Sequence, residues 1–225
     1  MTSPTAAPIR TYRARRGRLR PRRRAALDRL WPAYGVELTG GPLDPAGLCG
    51  HPAPLVLEIG SGMGESVAGQ AAADPDRCYL AVEVHTPGVA NLLALAEAHR
   101  LTNLRVAHGD ALALLGARIP AESLAAVQAF FPDPWPKPRH HKRRLFQPAH
   151  VALLRSRLVR GGTLHTATDW PEYARTIRQV LASDPELDLS YPDWAPRPPD
   201  RPETRYERRA RAAGRPVFEL VARRR

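Results

Sequence analysis

Long apolar runs are missing from this chain of 225 residues. None approaches the roughly 18 residues that suggest a membrane span, so a soluble protein with no membrane role is expected. The arginine-rich N-terminus leads into no apolar segment before Asp28, so no secretory signal is expected either. Cysteine is scarce. Cys49 and Cys78 are too few to staple a scaffold of this size and lack metal-ligand company, so a reducing, cytoplasmic setting with no metal is expected. Internal repeats are absent, and low complexity is confined to the proline- and arginine-rich ends. Lysine is nearly absent too, with Lys137 and Lys142 the only two among 34 cations. What is present, 43% hydrophobic and 25% charged residues, excludes wholesale disorder and suffices for one well-cored domain. The 24 prolines and 16 glycines add much loop.

Charge is distributed unevenly around a net +12. Residues 1–30 carry +9, residues 137–144 (KPRHHKRR) +5 and residues 197–225 +6, which leaves the rest of the chain at −8. An acidic body with three basic segments has two readings. The segments are separate solvated tails and loops, or they converge into a track for a polyanion.

Residues 10–24 read as a basic arm, Arg24–Trp31 as a short helix stopped by Pro32, and 39–54 as a connector. A regular alternation follows. Strands are expected at Leu55–Ile59, Tyr79–Val84, Leu104–Ala107, Leu124–Phe131 and Thr163–Thr168. Helices are expected at Glu65–Ala73, Gly88–Arg100, Pro148–Leu158 and Pro171–Ala182. Val217–Ala222 follows a long proline-rich loop instead of a helix and is expected to be an antiparallel partner. The pattern predicts an α/β fold, a doubly wound and mostly parallel sheet over 25–225, preceded by a flexible basic arm over 1–24.

Such sheets bind ligands at the carboxyl ends of their strands. The first strand ends in a turn holding Gly60, Gly62 and Gly64, with Glu58 before it and Glu65 behind. Two carboxylates make this turn poor for a phosphate and suit a ligand with a cationic part, such as the sulfonium and ammonium of S-adenosylmethionine. The alternative is a glycine turn that only permits tight packing. Glu83 ends the next strand, where an acid commonly holds a ribose diol. Asp110 ends the third, either capping a helix or accepting from an adenine amino group. Three successive acidic strand ends favour a positively charged adenosyl cofactor. The fourth strand runs into FFPDPWPKPRHHKRR, where Asp133 sits between Pro132 and Pro134. Trp135 offers either a face for a base or a core contact, and Lys137–Arg144 offers cations for phosphates. His140 and His141 have no acid or cysteine at ligand spacing, so no metal is expected there. Asp169 after the fifth strand is either a helix cap or a substrate contact.

These residues carry a family resemblance. LEIGSGMG at 57–64, EVHTPGV at 83–89, FFPDPWPKPRHHKRR at 130–144, TDW at 168–170 and TRYE at 204–207 resemble motifs of the bacterial tRNA (guanine-N7-)-methyltransferases. These are class I S-adenosylmethionine-dependent enzymes with a Rossmann-like fold. The likeness extends through the arm and covers about residues 10–222. The chain departs from the family's usual T-K-F-E in having Arg205 and Tyr206, and its arm carries extra arginines at 20 and 22–24. The resemblance implies methyl transfer to N7 of a guanosine in the tRNA variable loop. By motif, Glu58, Gly60, Gly62, Glu83 and Asp110 would bind the cofactor, and Asp133 would serve both cofactor binding and catalysis. Lys137, Asp169, Thr204, Arg205, Tyr206 and Glu207 would contact the substrate. Arg139, His140, His141, Lys142, Arg143 and Arg144 would contact the RNA. Two competing readings are an amino-group methyltransferase, whose D-P-P-aromatic loop Asp133-Pro134-Trp135 partly resembles, and a non-catalytic RNA-binding protein on the same fold.

Overall fold

The expected alternation closes into one eight-stranded sheet. A computed structural model describes residues 9–13, 19–199 and 201–225. In chain order the elements are α1 (Pro21–Tyr34), β1 (Gly35–Val36), β2 (Leu55–Ile59), α2 (Glu65–Ala73), β3 (Cys78–Glu83), α3 (Thr86–Ala98), β4 (Leu104–His108), α4 (Ala111–Ala117) and β5 (Leu124–Phe130). There follow a 3-10 helix (Pro138–Arg143), α5 (Pro148–Arg157), β6 (Leu158–Thr168), α6 (Pro171–Ser183), β7 (Leu187–Leu189), α7 (Arg205–Ala212) and β8 (Phe218–Arg224). The sheet order is β1-β4-β3-β2-β5-β6-β8-β7. Neighbours from β1 through β6 run parallel, and β8 is antiparallel to both β6 and β7.

Period-two alternation explains how the sheet is covered. In β2, Leu55 and Leu57 face one core with Val127, Phe146, Val151, Leu164 and Ile177. Val56 faces the other, with Val67, Leu92, Leu93 and the α1 residues Leu27 and Leu30. Glu58 falls on that second face by the same alternation, and the α2 residue Gln70 bonds it there. Both faces of the parallel strands are therefore filled, which is why their sequences are nearly continuous apolar runs. The chain winds one way from β2 to β3 and the other way from β2 to β5. The C-terminal ends of β2 and β5 form the switch point, where such sheets open a crevice.

Three expectations are corrected. The first helix starts at Pro21 and runs past Pro32 to Tyr34. Proline at the first helical position suits the start, and the loss of one backbone donor near the last turn does not end the helix. The proline-rich stretch before β8 contains a helix, α7. Cys49 and Cys78 are joined in a disulfide, with their Cα atoms 5.9 Å apart. The beginning of β3 and the connector converge in the core, and this overrides the argument from cysteine number. The arm expected over 1–24 falls largely outside the described residues, and its last four residues belong to α1.

Candidate active site

The β2–α2 turn is built on backbone that only glycine adopts readily. Gly60, Gly62 and Gly64 have φ of 76°, 61° and 83°. A Cβ placed on Gly60 or Gly62 would meet no atom within 4 Å, so the turn borders an open cradle at the strand end. Its underside is pinned. Glu83 accepts from Gly62 N at 2.7 Å and from His85 N at 2.8 Å, and Asn91 of α3 donates to Met63 O at 2.8 Å. Glu83 thus ties the turn, through Oε2, to the β3–α3 connection, through Oε1. Asp110 caps α4, accepting from Leu112 N at 2.9 Å.

Glu58 is the electrostatic oddity of this turn. It is 3% exposed and accepts from Gln70 Nε2 at 3.2 Å. Burial pushes its carboxyl up to about 8; the Gln70 hydrogen bond and the Arg201 charge oppose the shift, and the Glu83 charge adds to it. A buried, weakly compensated carboxylate beside an open cradle fits a cationic ligand. The cradle and this acid together match S-adenosylmethionine, which carries a sulfonium and an ammonium.

Across the switch point, the β5 end is strained on both sides of Asp133. Phe131 and Trp135 occupy left-handed backbone, at φ 53° and 44°. Such residues persist only where the surroundings over-determine them, each at about 1–3 kcal/mol. Here Phe131 N donates to Ala167 O at 2.7 Å, and Trp135 Nε1 donates to Thr11 O at 3.2 Å. Arg13 and Arg143 each lie over the Trp135 ring, 5.2 Å from its centre, with His140 edge-on at 5.8 Å. Trp135 is therefore an anchor for the loop and not an exposed base platform. The same contacts bring the arm's Arg13 beside the 137–144 segment.

The 3-10 helix exposes Lys137, Arg139 and Lys142, with His140, His141 and Arg143 half-buried. Partial desolvation and then the charges of Arg139, Arg143, Lys137 and Arg13 hold His140 below its ordinary value, so at neutral pH it is a hydrogen-bonding group and not a cation. Arg144 differs from its neighbours. It is 1% exposed, donates to Pro134 O at 2.9 Å and to Glu172 Oε1 at 2.9 Å, and lies over Tyr173. Its contacts are with other parts of the protein, and they tie the Asp133 loop to α6.

The remaining expected residues gather at the next strand end and at α7. Asp169 follows β6 and pairs with Arg215 at 2.9 Å. Thr204 Oγ1 caps α7 by accepting from Glu207 N at 3.1 Å. Arg205 and Tyr206 are exposed, and Tyr206 stacks on Phe131 with ring centres 6.2 Å apart. Glu207 is fully buried among arginines. Arg197 Nε donates to its Oε1 at 2.6 Å, while Arg201 Nη2 lies 2.9 Å from Oε2 without hydrogen-bond alignment. Burial pushes its carboxyl up, but the Arg197 hydrogen bond and the Arg201 and Arg197 charges prevail and hold it below its ordinary value. Arg201 also donates to Glu219 at 2.5 Å, and Glu219 Oε2 meets His165 Nε2 at 2.7 Å. Removing one member of such a buried cluster typically costs about 3–5 kcal/mol. A cavity of about 220 Å³ borders it, lined by Arg197, Arg211, Arg215, Glu207 and Glu219 among others. Arg197, Arg201 and Glu219 had no motif to mark them. The helix itself had one: Thr204-x-x-Glu207 is the spacing of a capping box.

Among the described residues, no cluster of three or more possible metal ligands occurs, and no helix is long and apolar enough to cross a membrane. The chain is similar to known methyltransferases. Residues 52–220 match the family model described as "Putative methyltransferase". The chain is similar to the tRNA (guanine-N(7)-)-methyltransferase of Streptomyces avermitilis, at 49% identity over 96% of this chain and 75% of that protein. It is also similar to the protein of the same name from Halorhodospira halophila, at 49% identity over 95% of this chain and 94% of that one. Among solved structures, the 16S rRNA methyltransferase KamB superposes with a TM-score of 0.54 at 15% identity, over 89% of this chain and 93% of that one. TrmN of Thermus thermophilus gives 0.55 at 18% identity, over 90% of this chain and 48% of that one. These likenesses establish the class I methyltransferase fold. The 49% identity to relatives matched over most of their length goes further, and the chain belongs to the tRNA (guanine-N(7)-)-methyltransferase family.

Proposed function

We infer that this chain is an S-adenosylmethionine-dependent enzyme that methylates N7 of a guanine in tRNA. The observation that carries the reading is the meeting, at one switch point, of an open acidic glycine turn with a strained loop holding Asp133 and continuing into exposed cations. We place the target in the variable loop and assign Glu58, Gly60, Gly62, Glu83 and Asp110 to the cofactor. Bound at this turn, S-adenosylmethionine supplies an electrophilic methyl group on a sulfonium.

The chemistry asks little of the protein beyond geometry. Guanine N7 presents an in-plane lone pair and loses no proton, so no general base is needed. Positive charge passes from sulfur to the imidazole ring, and a fixed carboxylate beside that path stabilises it throughout. Asp133 has this place in our reading, held by prolines and by the two strained neighbours. Lys137, Asp169 and Thr204–Glu207 would orient the nucleotide, with Tyr206 and Phe131 as the aromatic surface and Glu207 acting through its arginines. Arg139, His140, His141, Lys142, Arg143 and the arm would meet the RNA backbone, with Arg144 holding their loop in place.

Incubation with unmodified tRNA and labelled cofactor, followed by nucleoside mapping, tests this. The expected product is 7-methylguanosine in the variable loop, recognisable because only N7 methylation labilises the base to chain cleavage. Label on an exocyclic amine, or none at all with an active cofactor preparation, overturns the reading.

A further inference from the structure

Residues 132, 134 and 136 are prolines, so within 132–136 only Asp133 and Trp135 have a backbone N–H. A loop this poor in donors is held mainly from outside, and three anchors hold it. Phe131, just before it, is tied to β6 through Ala167 O, and Pro134 O accepts from Arg144, which bonds Glu172 of α6. The third anchor is Trp135. Its side chain is buried, at 6% exposure, yet it belongs to neither apolar core. Arg13 and Arg143 lie over its ring instead, and its one donor, Nε1, meets Thr11 O at 3.2 Å. A buried indole N–H normally finds a partner. Here the partner lies 124 positions away in sequence, in the arm. The body of the protein therefore supplies two anchors, and the arm supplies part of the third. Arg13 is exposed, and it docks among the exposed cations Lys137, Arg139 and Lys142 of the 3-10 helix region. Like charges oppose this docking, and a polyanion laid across them relieves the repulsion.

We propose that the arm, through Arg13 and Thr11 O, is a positioning element that latches Trp135 and so holds the Asp133 loop in its reactive geometry. The proposal rests on the reading of Asp133 as the carboxylate beside the transferring methyl group. Asp133 lies two positions from Trp135, whose left-handed backbone needs support from its surroundings. With the arm undocked, Phe131 and Pro134 keep their anchors but the turn at Trp135 loses one of its own. RNA phosphates on the surrounding cations favour the docked arm, and the docked arm favours the reactive loop. Substrate binding and loop order thus support each other. The arm then acts on the methylation step itself and not only on tRNA affinity.

Single-turnover methylation at saturating tRNA and cofactor, together with tRNA affinity measured against salt, separates the two roles. Arg13→Ala alters one exposed side chain. It is expected to lower the saturated rate about tenfold, short of the hundredfold that a misplacement of about 1 Å can cost. The slope of log affinity against log salt should fall by no more than about 0.7–0.9, the share of one phosphate. Trp135→Phe keeps an aromatic ring but removes the donor, and it should lower the saturated rate to a similar degree. Both changes break the same junction, so the double variant should fall less than about threefold below the slower single variant. A saturated rate unaltered in Arg13→Ala overturns the proposal, as do losses that multiply in the double variant. If Trp135→Phe does not fold, the rate of Arg13→Ala decides alone. Wild-type enzyme that transfers no methyl group to tRNA would instead overturn the reading of the site.

Discussion

Gly88 offers the sharpest way to move the cofactor turn without touching it. This residue sits in the first turn of α3, and a Cβ there would lie 2.0 Å from the Gly62 carbonyl oxygen and 3.0 Å from its carbon. Ordinary contact begins at 3.4 Å, so in Gly88→Ala the two backbones must part by about 1.4 Å. Neither side gives easily. The helix holds the turn through Asn91 and Met63, and Glu83 holds Gly62 from below. Overpacking of this kind costs about 1–3 kcal/mol, and alanine in place of helical glycine returns about 0.8–1 kcal/mol. The net loss of stability should therefore be about 0–2 kcal/mol, too little to unfold a typical domain. The cradle, however, is displaced by a sizeable part of an atomic diameter. Affinity for S-adenosylhomocysteine should drop about tenfold to a hundredfold, or about 1.4–2.8 kcal/mol. Isothermal titration measures the affinity, and urea denaturation measures the stability. The control is Gly116→Ala in α4, where a Cβ meets nothing within 4 Å; it should leave binding alone and stabilise by up to about 1 kcal/mol. Unchanged affinity in Gly88→Ala would refute the assignment of this turn to the cofactor.

Asp133→Asn should lower the single-turnover rate by about a hundredfold or more while both dissociation constants move far less; collapse of either affinity with the saturated rate intact would make Asp133 a binding residue. Glu58, raised from 4.5 to about 8, binds a proton in the folded state that the unfolded chain has already released. The stability it contributes is full below about pH 4.5 and is lost as pH rises towards 8, by at most about 1.4 kcal/mol per unit. Denaturation of the cofactor-free protein at pH 5 and pH 8 should show this fall, and Glu58→Gln should flatten it. Deleting residues 1–20, which spares α1, should reduce the slope of log affinity for tRNA against log salt by about 0.7–0.9 for each phosphate that the arm neutralises, and leave cofactor binding unchanged. An unaltered slope would make the arm a bystander.

The parallel half of the fold was legible because each strand is a short apolar run bounded by turn residues. Leu55–Ile59 and Glu65–Ala73 have the expected bounds, and the other expected strands and helices in that half differ by one or two residues at their ends, except β6, which starts at Leu158, five residues before the expected Thr163, and runs through Gly161 and Gly162. The antiparallel place of β8 was legible as well. Other elements were hidden for physical reasons. β1 and β7 span two and three residues, too few to show a period. α7 reads RYERRARA, and most of its residues are charged, so the pattern of an apolar face is nearly absent. Burial there is achieved by pairing Glu207 with arginines brought from elsewhere in the chain. Composition could show that the basic segments exist but not that they meet. The contacts of Arg13 and Arg143 with the Trp135 ring join two of them, and the Tyr206–Phe131 stack brings the third to the adjoining strand end.

The link between Cys49 and Cys78 encloses 29 steps of chain, and all of β2, the glycine turn and α2 lie inside them. The stretch that bears Glu58, Gly60 and Gly62 is thus a covalent ring. For a ring of this size, loop-closure entropy alone favours the folded state by about 3–4 kcal/mol. That is a sizeable share of the margin by which a typical domain stays folded. Thiol reductants would act on the unfolded ensemble, which regains the freedom the ring had removed.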